Sequence, residues 1–478
     1  MNSKRNTVST RNVPKTKYME KQASLRWNVL RSVLALGVGF AVVPWLGSDV
    51  LAADTGKITR VDQPDQNLMQ NNKADIYAKS AGNSVGLNRF QDFQVGKNDM
   101  ANMYFKTAKD SQKNLDTLVN TVQNRIDING TVNAIRDNKI GGNLYFLSPK
   151  GMVVGAGGVI NAGSLTAITT NTLPKDIGEA EKAVTSIREG SYPVSSSLQD
   201  SINVHGTIHT ATGIDLRAAY ISIAKEANAE KVPVLQTGMV FETTVNTDGL
   251  VDSAKVVQGE RLTASCSEDG KIIIADPNDA DNKNLQGDGS IRIQAQADSR
   301  NTATEFLGIT AVNNTVEAKA TIGEGATIDA IGNVDISAKA TISNDTNIEH
   351  WLNFVGFSKA TTEVNGTIQG ADVNIHSDAT TKLSYNNSGN PMDLTKDVTG
   401  IDVNGKLTDA IWKKMQVGGI FSDKVDILRN VINQLYMPFN VTDAQATTTI
   451  GKQASLSSHI RRQYKDAEGK QKDVGGNL

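Results

Sequence analysis

Residues 361–380 read TTEVNGTIQGADVNIHSDAT and contain two short alternating segments separated by a small turn. Valine or isoleucine stands at every second position of each segment, which is typical of a β-strand with one buried face. The dipeptide Asn365-Gly366 tolerates positive φ angles and therefore predicts a tight turn between strands. The stretch predicts two short β-strands whose apolar side chains share one interior.

The same phrase returns along the chain, so the fold is expected to be repetitive. Gly366 lies 40 residues after Ala326, and Gly405 lies 39 residues after Gly366. Each interval suits two coils of about 20 residues, and stacked coils can bury inward side chains that one coil alone leaves exposed. An all-β solenoid is therefore favoured over a β-sandwich. The other copies of the phrase lie at 125–135, 201–219, 285–297, 323–341, 401–407 and 448–458.

Three segments depart from this pattern. Residues 226–282 form a polar excursion that predicts a hairpin. Residues 408–440 predict a short amphipathic helix packed on the solenoid, with a membrane-lytic role as the less favoured alternative. Residues 461–478 are polar and predict an open end without a cap, so the chain is interpreted as the front of a longer protein. The apolar positions at helical spacing are Val425, Leu428, Val431, Ile432 and Leu435.

The N-terminus has the layout of a signal peptide. Residues 1–32 hold eight basic residues and one acidic residue, and an uncharged segment follows them. The apolar part, 33–46, is shorter than the roughly 20 residues that a spanning helix needs, so a membrane anchor is the less favoured alternative. Small residues then predict cleavage between Ala52 and Ala53.

Composition narrows the class of protein further. Cleavage after Ala52 lowers the count of basic residues from 49 to 41 and of acidic residues from 51 to 49, leaving an acidic chain. That balance argues against a nucleic-acid binder. Aromatic residues make up only 5% of the chain, which suits thin repetitive β-structure. Cys266 is the single cysteine, so no intramolecular disulfide can form, and we interpret it as an incidental small residue.

The acidic residues of the repeats do not predict catalysis. Glycoside hydrolysis needs two carboxylates about 5–10 Å apart, which on a solenoid should stack on neighbouring coils. Aligning two copies of the phrase places Asp335 opposite Asn374 instead. Asp127, Asp215 and Asp335 lie on the polar phase of the alternation and are interpreted as solvated. We therefore expect no enzyme, cofactor or metal site, with a polysaccharide-active β-helix enzyme as the less favoured alternative.

The segment NRFQDFQV, which begins at Asn88, carries a resemblance to a known family. Its pattern of Asn88, Phe90, Phe93 and Val95 resembles the N-terminal signature of the secretion domain in filamentous-haemagglutinin-type exoproteins. The resemblance implies a right-handed parallel β-helix with an N-terminal cap, in which Phe90 and Phe93 cover the open end of the first coils. It also implies that the unfolded segment is bound by a partner outer-membrane transporter, a barrel with periplasmic domains.

A second match lies at 143–170 and agrees with the family in order and spacing. The family usually has an Asn-Pro-Asn-Gly turn here, whereas this chain keeps the proline and glycine but has serine and lysine at the two asparagine positions. A short stretch containing asparagine, leucine and alanine follows the turn. The turn is Ser148, Pro149, Lys150 and Gly151, and the residues of the following stretch are Asn161, Leu165 and Ala167.

Two further stretches, VGKNDMANMYF and DNKIGGNLYFLSPKGMVVG, resemble leukotoxin-type filamentous adhesins of bacteria with an outer membrane. The resemblance implies a secreted or surface-exposed adhesin that is exported by two-partner secretion and binds host-cell or bacterial surface receptors. A cytolysin of the same secretion family is the alternative. The implied organisation is a signal peptide at 1–52, a secretion domain at 53–300, a β-helical shaft at 301–460 and a polar end at 461–478.

The signal-peptide interpretation makes a direct prediction. N-terminal sequencing of the exported protein should begin at Ala53, because small residues before the cleaved bond suit the signal peptidase. An Ala52→Phe variant should keep its leader, since a large side chain does not fit that position. A mature chain that begins before Val33 would contradict the interpretation.

Overall fold

The computed structural model describes residue 52 and residues 54–478, apart from 267–271, 276–284, 286, 301–302, 307–308, 344–352, 383–438 and 466–467. This part of the chain is nearly all β-strand, with one α-helix. The strands before the helix are β1 (Lys57–Arg60), β2 (Gln63–Asn67), β3 (Lys73–Tyr77), β4 (Ser80–Ala81), β5 (Val85–Val95), β6 (Met100–Tyr104), β7 (Thr117–Val122), β8 (Ile126–Ile128), β9 (Thr131–Arg136), β10 (Lys139–Ile140), β11 (Asn143–Ser148), β12 (Met152–Val154) and β13 (Val159–Thr169).

Helix α1 (Ile177–Arg188) interrupts the strands, and twenty more strands follow it. They are β14 (Ile202–Val204), β15 (Thr207–Ala218), β16 (Tyr220–Ile223), β17 (Val234–Gln236), β18 (Met239–Val245), β19 (Val251–Arg261), β20 (Thr263–Cys266), β21 (Ile272–Ala275), β22 (Ser290–Arg300), β23 (Ala303–Phe306), β24 (Ile309–Ile322), β25 (Thr327–Asp329), β26 (Val334–Ser343), β27 (Asn353–Val364), β28 (Thr367–Gly370), β29 (Val373–Lys382), β30 (Phe439–Ile450), β31 (Ser455–Ser458), β32 (Ile460–Lys465) and β33 (Gln471–Gly475).

Three stacks of parallel strands form the faces of a β-solenoid, which confirms the predicted fold class. Face A stacks the first part of β5 with β7, β11, the end of β13, the end of β15, β22, β26 and β29. Face B stacks the end of β5 with β8, β12, β14, β16, β24, β27 and β30. Face C stacks β3, β6, β9, the starts of β13 and β15, β17, β25, β28 and β31.

One strand from each face makes a coil, and we number the coils 1 to 8 from β5–β6 to β29–β31. The predicted length of about 20 residues per coil is wrong for most coils: Leu87 pairs with Val119 in the first coils, 32 residues on, and the later coils are longer still. Ile328 pairs directly with Ile368, so one coil there takes 40 residues. The extra length lies in long strands: β26 and β29 pair over ten residues, from Val334 opposite Val373 to Ser343 opposite Lys382.

The interior is one continuous apolar column, but its filling changes along the chain. The fully buried phenylalanines of the described residues are Phe90, Phe93, Phe105 and Phe146, and all lie in coils 1 to 3. The interior of the later, longer coils combines isoleucine and valine side chains with many alanines. The alanines of their long strands are Ala295, Ala297, Ala318, Ala320, Ala338, Ala340 and Ala360.

The ends and flanks of the solenoid carry the antiparallel elements. At the N-terminal end, β1 pairs with β5 and β2 pairs with β1, forming the predicted cap. Every residue of β2 is exposed, and Pro64 and Asp65 make this edge a poor template for another strand. The predicted polar hairpin excursion is confirmed as two hairpins, β18–β19 and β20–β21.

The C-terminal segment differs from the predicted open end. Its described residues form the antiparallel hairpin β32–β33. Beyond it, the carbonyl of Asn477 accepts a hydrogen bond of 2.8 Å from the amide of Val373. The polar sequence hid this pairing, because Gln471–Gly475 lacks the apolar alternation that marks the other strands. Residues 408–438 of the helix predicted at 408–440 lie outside the described residues, and Phe439 and Asn440 begin β30.

Helix α1 is an element that the sequence analysis missed. Its buried residues follow helical spacing and pack on the outside of face A. The Asp176 carboxylate caps the helix by accepting from the Glu179 amide at 2.9 Å, and the Glu179 carboxylate accepts from the Lys175 amide at 2.8 Å. The helical spacing of the apolar residues and the pair Asp176 and Glu179 can both be recognised in the sequence. No helix among the described residues is long and apolar enough to cross a membrane.

The glycine of the recurring Asn-Gly phrase is needed for a different reason from the one predicted. Neither Asn365 nor Gly366 has a positive φ. A Cβ built on Gly366 would instead lie 2.6 Å from the carbonyl oxygen of Ala326 and 3.0 Å from that of Gly323, both in the preceding coil. The corner needs glycine because the backbones of neighbouring coils approach closely there.

This close approach predicts that Gly366→Ala lowers the free energy of unfolding by about 1–3 kcal/mol, as overpacking does. The matched control is Gly213→Ala, because a Cβ there would lie 3.5 Å from its nearest neighbour, an ordinary contact. We expect the control to stay within about 0.5 kcal/mol of the wild type. Urea denaturation of both variants gives the comparison, and equal midpoints would contradict the explanation.

Candidate functional site

The spacing of Phe90 and Phe93 reflects a corner in the solenoid. Residues 85–90 of β5 pair with β7 on face A, and residues 93–95 pair with β8 on face B. The chain turns at Gln91 and Asp92, so both phenylalanines point inward although they are three positions apart. Their rings meet edge to face, with centroids 5.3 Å apart. The prediction that they cover the open end is wrong, because they line the interior of coil 1.

Strand β1 is the element that closes this end. It runs antiparallel to β5, with Ile58 opposite Phe93 and Arg60 opposite Phe90, and a bulge lets it follow the corner. The guanidinium of Arg60 lies 5.5 Å from the centroid of the Phe90 ring. Burial lowers the pKa of Arg60, although Asp62 opposes this shift. The buried cation is therefore held by specific partners rather than by water.

Asn88 is fully buried and hydrogen-bonds to Arg60 and to several other groups around it. Its Oδ1 accepts hydrogen bonds from Arg60 Nη1 at 2.8 Å and from the Lys79 amide at 3.0 Å. Its Nδ2 donates to Asn120 Oδ1 at 3.1 Å, and Asn120 Nδ2 donates to the carbonyl of Tyr145 at 3.1 Å. One asparagine thus ties the cap to coil 1 and, through Asn120, to coils 2 and 3.

A second set of polar contacts follows the corner itself. The Asp92 carboxylate accepts from Lys57 Nζ at 2.7 Å, from Asn124 Nδ2 at 2.7 Å and from Thr59 Oγ1 at 3.1 Å. Burial opposes the ionisation of Asp92, but these donors outweigh it and lower the pKa of the carboxyl. Asp92 therefore joins the cap strand to coils 1 and 2 as an ionised group.

The Ser148 turn extends these polar contacts from Asn124 in coil 2 to coil 3. Ser148 Oγ donates to the carbonyl of Asn124 at 2.9 Å and accepts from the Lys150 amide at 3.0 Å. Pro149 lies between them, and Gly151 has a φ of 78°, where glycine is favoured. The serine hydroxyl therefore supplies the local hydrogen bonds of the turn without a side-chain amide.

The remaining predicted residues lie in different places. Val95 is buried on face B, and Leu165 and Ala167 are buried in the core on face A of coil 4. Asn161 lies on face C and takes no part in the corner. Ala52 is among the described residues and Ala53 is not. The structure thus brings the first motif and the Ser148 turn together and leaves Asn161 apart.

Asn161 belongs to a ladder that the sequence analysis missed. Its Nδ2 donates to Asn133 Oδ1 at 2.9 Å, and Asn133 Nδ2 donates to Asn102 Oδ1 at 3.0 Å. Asn102 Nδ2 in turn donates to Asp75 Oδ1 at 3.0 Å. These residues occupy the same position in consecutive strands of face C, so aligning the coils by their apolar positions would have found them.

The acidic residues of the repeats are less solvated than predicted. Asp127 is only 3% exposed and accepts from Arg125 Nε at 2.7 Å, and burial raises its pKa. Asp335 does lie opposite Asn374, as the sequence alignment placed it. On its other side it pairs with Arg292, which pairs with Asp215, so the charges alternate along this face.

The contacts of Asn88, Asp92 and Ser148 can hold the cap strand against the N-terminal end of the solenoid. We assign these residues no catalytic role. Among the residues that the structure describes, no group of three or more histidine, cysteine, aspartate or glutamate side chains could hold a metal ion. In comparisons with known proteins, no family model matches the chain and no curated protein matches it. This corner and the resemblance of its residues are therefore the features that bear on function.

The contacts of Asp92 predict a dependence on pH. Asp92→Asn should lower the free energy of unfolding at pH 7 by about 1.5–3 kcal/mol, the range for hydrogen bonds to charged groups. The folded pKa lies below the unfolded one, so the contribution is fully present above the unfolded pKa and is lost progressively as pH falls through the folded pKa. The difference between variant and wild type should therefore shrink in urea titrations at pH 3.

The control for this measurement is Asp65→Asn, because Asp65 is exposed on β2. It should leave stability within about 0.5 kcal/mol of the wild type at both pH values. An Asp92 variant that is as stable as the wild type at pH 7 would show that the corner contacts contribute nothing net.

Proposed function

We propose that this chain is the export region and the beginning of the shaft of a secreted or surface-exposed filamentous adhesin. Export follows the two-partner route, through an outer-membrane transporter with periplasmic domains. The observation that carries the proposal is the closed corner of coil 1. All four residues of the first motif, Asn88, Phe90, Phe93 and Val95, are fully buried at the end that β1 closes.

Complete burial constrains when a transporter can recognise the motif. In the folded protein the two phenylalanines offer no surface to a partner. Recognition therefore takes place before residues 85–95 fold into the solenoid. Strand addition to the transporter's periplasmic domains is a suitable mode of binding for such an unfolded segment. Folding outside the cell then buries each ring, which contributes about 2–3 kcal/mol per ring, and withdraws the motif from its partner.

The same corner is suited to begin the solenoid. Asn88 and Asp92 hold the cap strand, coil 1 and coil 2 in register, and each later coil needs only the one before it. Once coil 1 is closed, its strands are ordered and the strands of coil 2 can pair with them. We therefore assign nucleation of the β-helix to the region of the motif.

The later coils supply the adhesive surface in this proposal. Their outward positions carry charges paired across neighbouring coils, as in Lys319–Glu363 at 3.1 Å and Lys359–Glu317 at 3.0 Å. A long, regular face of exposed polar side chains can present many similar contacts to host-cell or bacterial surface receptors. We assign the chain no catalytic step and no cofactor.

The proposal predicts that Phe90→Asp with Phe93→Asp abolishes export while synthesis continues. Neither carboxylate would find water or a partner in the apolar column, and the motif would lose both aromatic rings. The measurement compares culture supernatant and periplasm, with the partner transporter co-expressed. The control is Val232→Asp with Val245→Asp, which adds two acids at positions 38% and 44% exposed and should be exported normally.

A third variant separates recognition from folding. Phe146 is equally buried and its ring centroid lies 5.0 Å from that of Phe93, but it stands outside the motif. A Phe146→Asp chain should still be captured by the transporter in the periplasm and co-purify with it, whereas the double variant should not. Equal export of the double variant and the wild type would contradict the proposal.

A further inference from the structure

The hairpin β18–β19 runs backwards along the solenoid. Met239 begins it three residues after β17 in coil 5, and Leu250 and Val251 at its far end pack against Tyr104 in coil 1. Coils are spaced by about 4.8 Å in the hydrogen-bonding direction, so the hairpin covers roughly 19 Å of face C. It is the part of the chain that leaves coil 5 and returns to the first coil.

Its far end is held by specific contacts. Val251 is fully buried. Its amide donates to Tyr104 Oη at 2.9 Å, and its carbonyl accepts from Asn102 Nδ2 at 2.9 Å. Lys73 Nζ lies 3.5 Å from the carboxylate of Asp252. Both backbone groups of one residue are thus satisfied by side chains of coil 1, which fixes the register of the hairpin on that coil.

The middle and the near end are anchored on other coils. Thr243 Oγ1 donates to the carbonyl of Asn138, which follows β9 of coil 2, at 2.9 Å. Arg261 Nη1 donates to both carboxylate oxygens of Asp329 in coil 6 at 2.8 Å, and Nη2 donates to the carbonyl of Thr237 at 2.6 Å. One element therefore binds coils 1, 2 and 6 and the segment after coil 5.

We propose that this hairpin is a latch, which closes only after coils 1 to 5 have stacked and which makes them one cooperative unit. The order follows from the chain: Asn102 and Tyr104 precede the hairpin by about 150 residues, and Arg261 needs Asp329, which comes later still. The docking surface for the far end must be complete before the latch can close. Full closure waits for coil 6.

The latch adds a long-range link to the stacked coils. In a stacked repeat each coil contacts only its neighbours, so an end coil opens without disturbing distant coils. The hairpin adds a link between coil 1 and coil 6, and opening coil 1 then requires releasing a hairpin whose other end is held on coil 6. The inference rests on the fold alone and holds whatever the chain is exported for.

The test is hydrogen exchange with mass spectrometry on the full mature chain carrying Arg261→Gln. The Arg261 guanidinium hydrogen-bonds to Thr237 and Asp329, far from coil 1, yet the latch predicts at least tenfold faster exchange in coil 1, over residues 98–104. The control is Arg292→Gln, because Arg292 lies in coil 6, as Asp329 does, and is ion-paired with Asp288. It should leave exchange in coil 1 unchanged.

Coupling through the latch must also act in the opposite direction. Tyr104→Phe removes the acceptor of the Val251 amide and should speed exchange at the near end of the hairpin, over residues 255–261. If Arg261→Gln speeds exchange only near Asp329, the hairpin is a passive cover and the inference is overturned. Equal acceleration in coil 7, over residues 367–370, would show a general loss of stability and would overturn it as well.

Discussion

Parallel pairing of each coil on the one before it is the constraint on which this structure depends. Every inward side chain must lie over its counterpart in the next coil, so the corners have to repeat with the same geometry. The chain meets this demand with particular residues. Gly366 leaves room for the carbonyl oxygens of the preceding coil, and Ser148 closes its turn through its own hydroxyl. At Phe90 and Phe93, the corner turns two inward rings toward each other.

The first coils meet the constraint differently from the later ones. Their interior holds large aromatic rings and the buried, hydrogen-bonded Asn88, whereas the later coils are filled with isoleucine, valine and alanine side chains. Burying a phenylalanine removes far more apolar surface from water than burying an alanine. The N-terminal end is therefore suited to become stable first. The hairpin from Met239 to Arg261 then ties that end to coil 6.

The sequence predicts those features that depend on short-range pattern. The alternation around Ile336 and Ile375 predicts the strands, and their repetition predicts the solenoid. The register between neighbouring coils depends on residues far apart in the chain. Short-range pattern therefore does not predict the length of a coil or the corner at Gln91. A corner changes which positions point inward, and Phe90 and Phe93 consequently look unlike strand residues. The Asn133 ladder is not predicted for the same reason, since it appears only when the coils are aligned with one another.

We infer above all that folding of the solenoid begins at the corner of coil 1. Pulsed hydrogen exchange during refolding of the mature chain measures this most directly, because it reports which amides are protected first. The account predicts that amides of residues 85–95 and 117–128 are protected before those of residues 334–343 and 373–382. Earlier protection in the later coils would place the start of folding elsewhere and would contradict the role given to Asn88, Phe90 and Phe93.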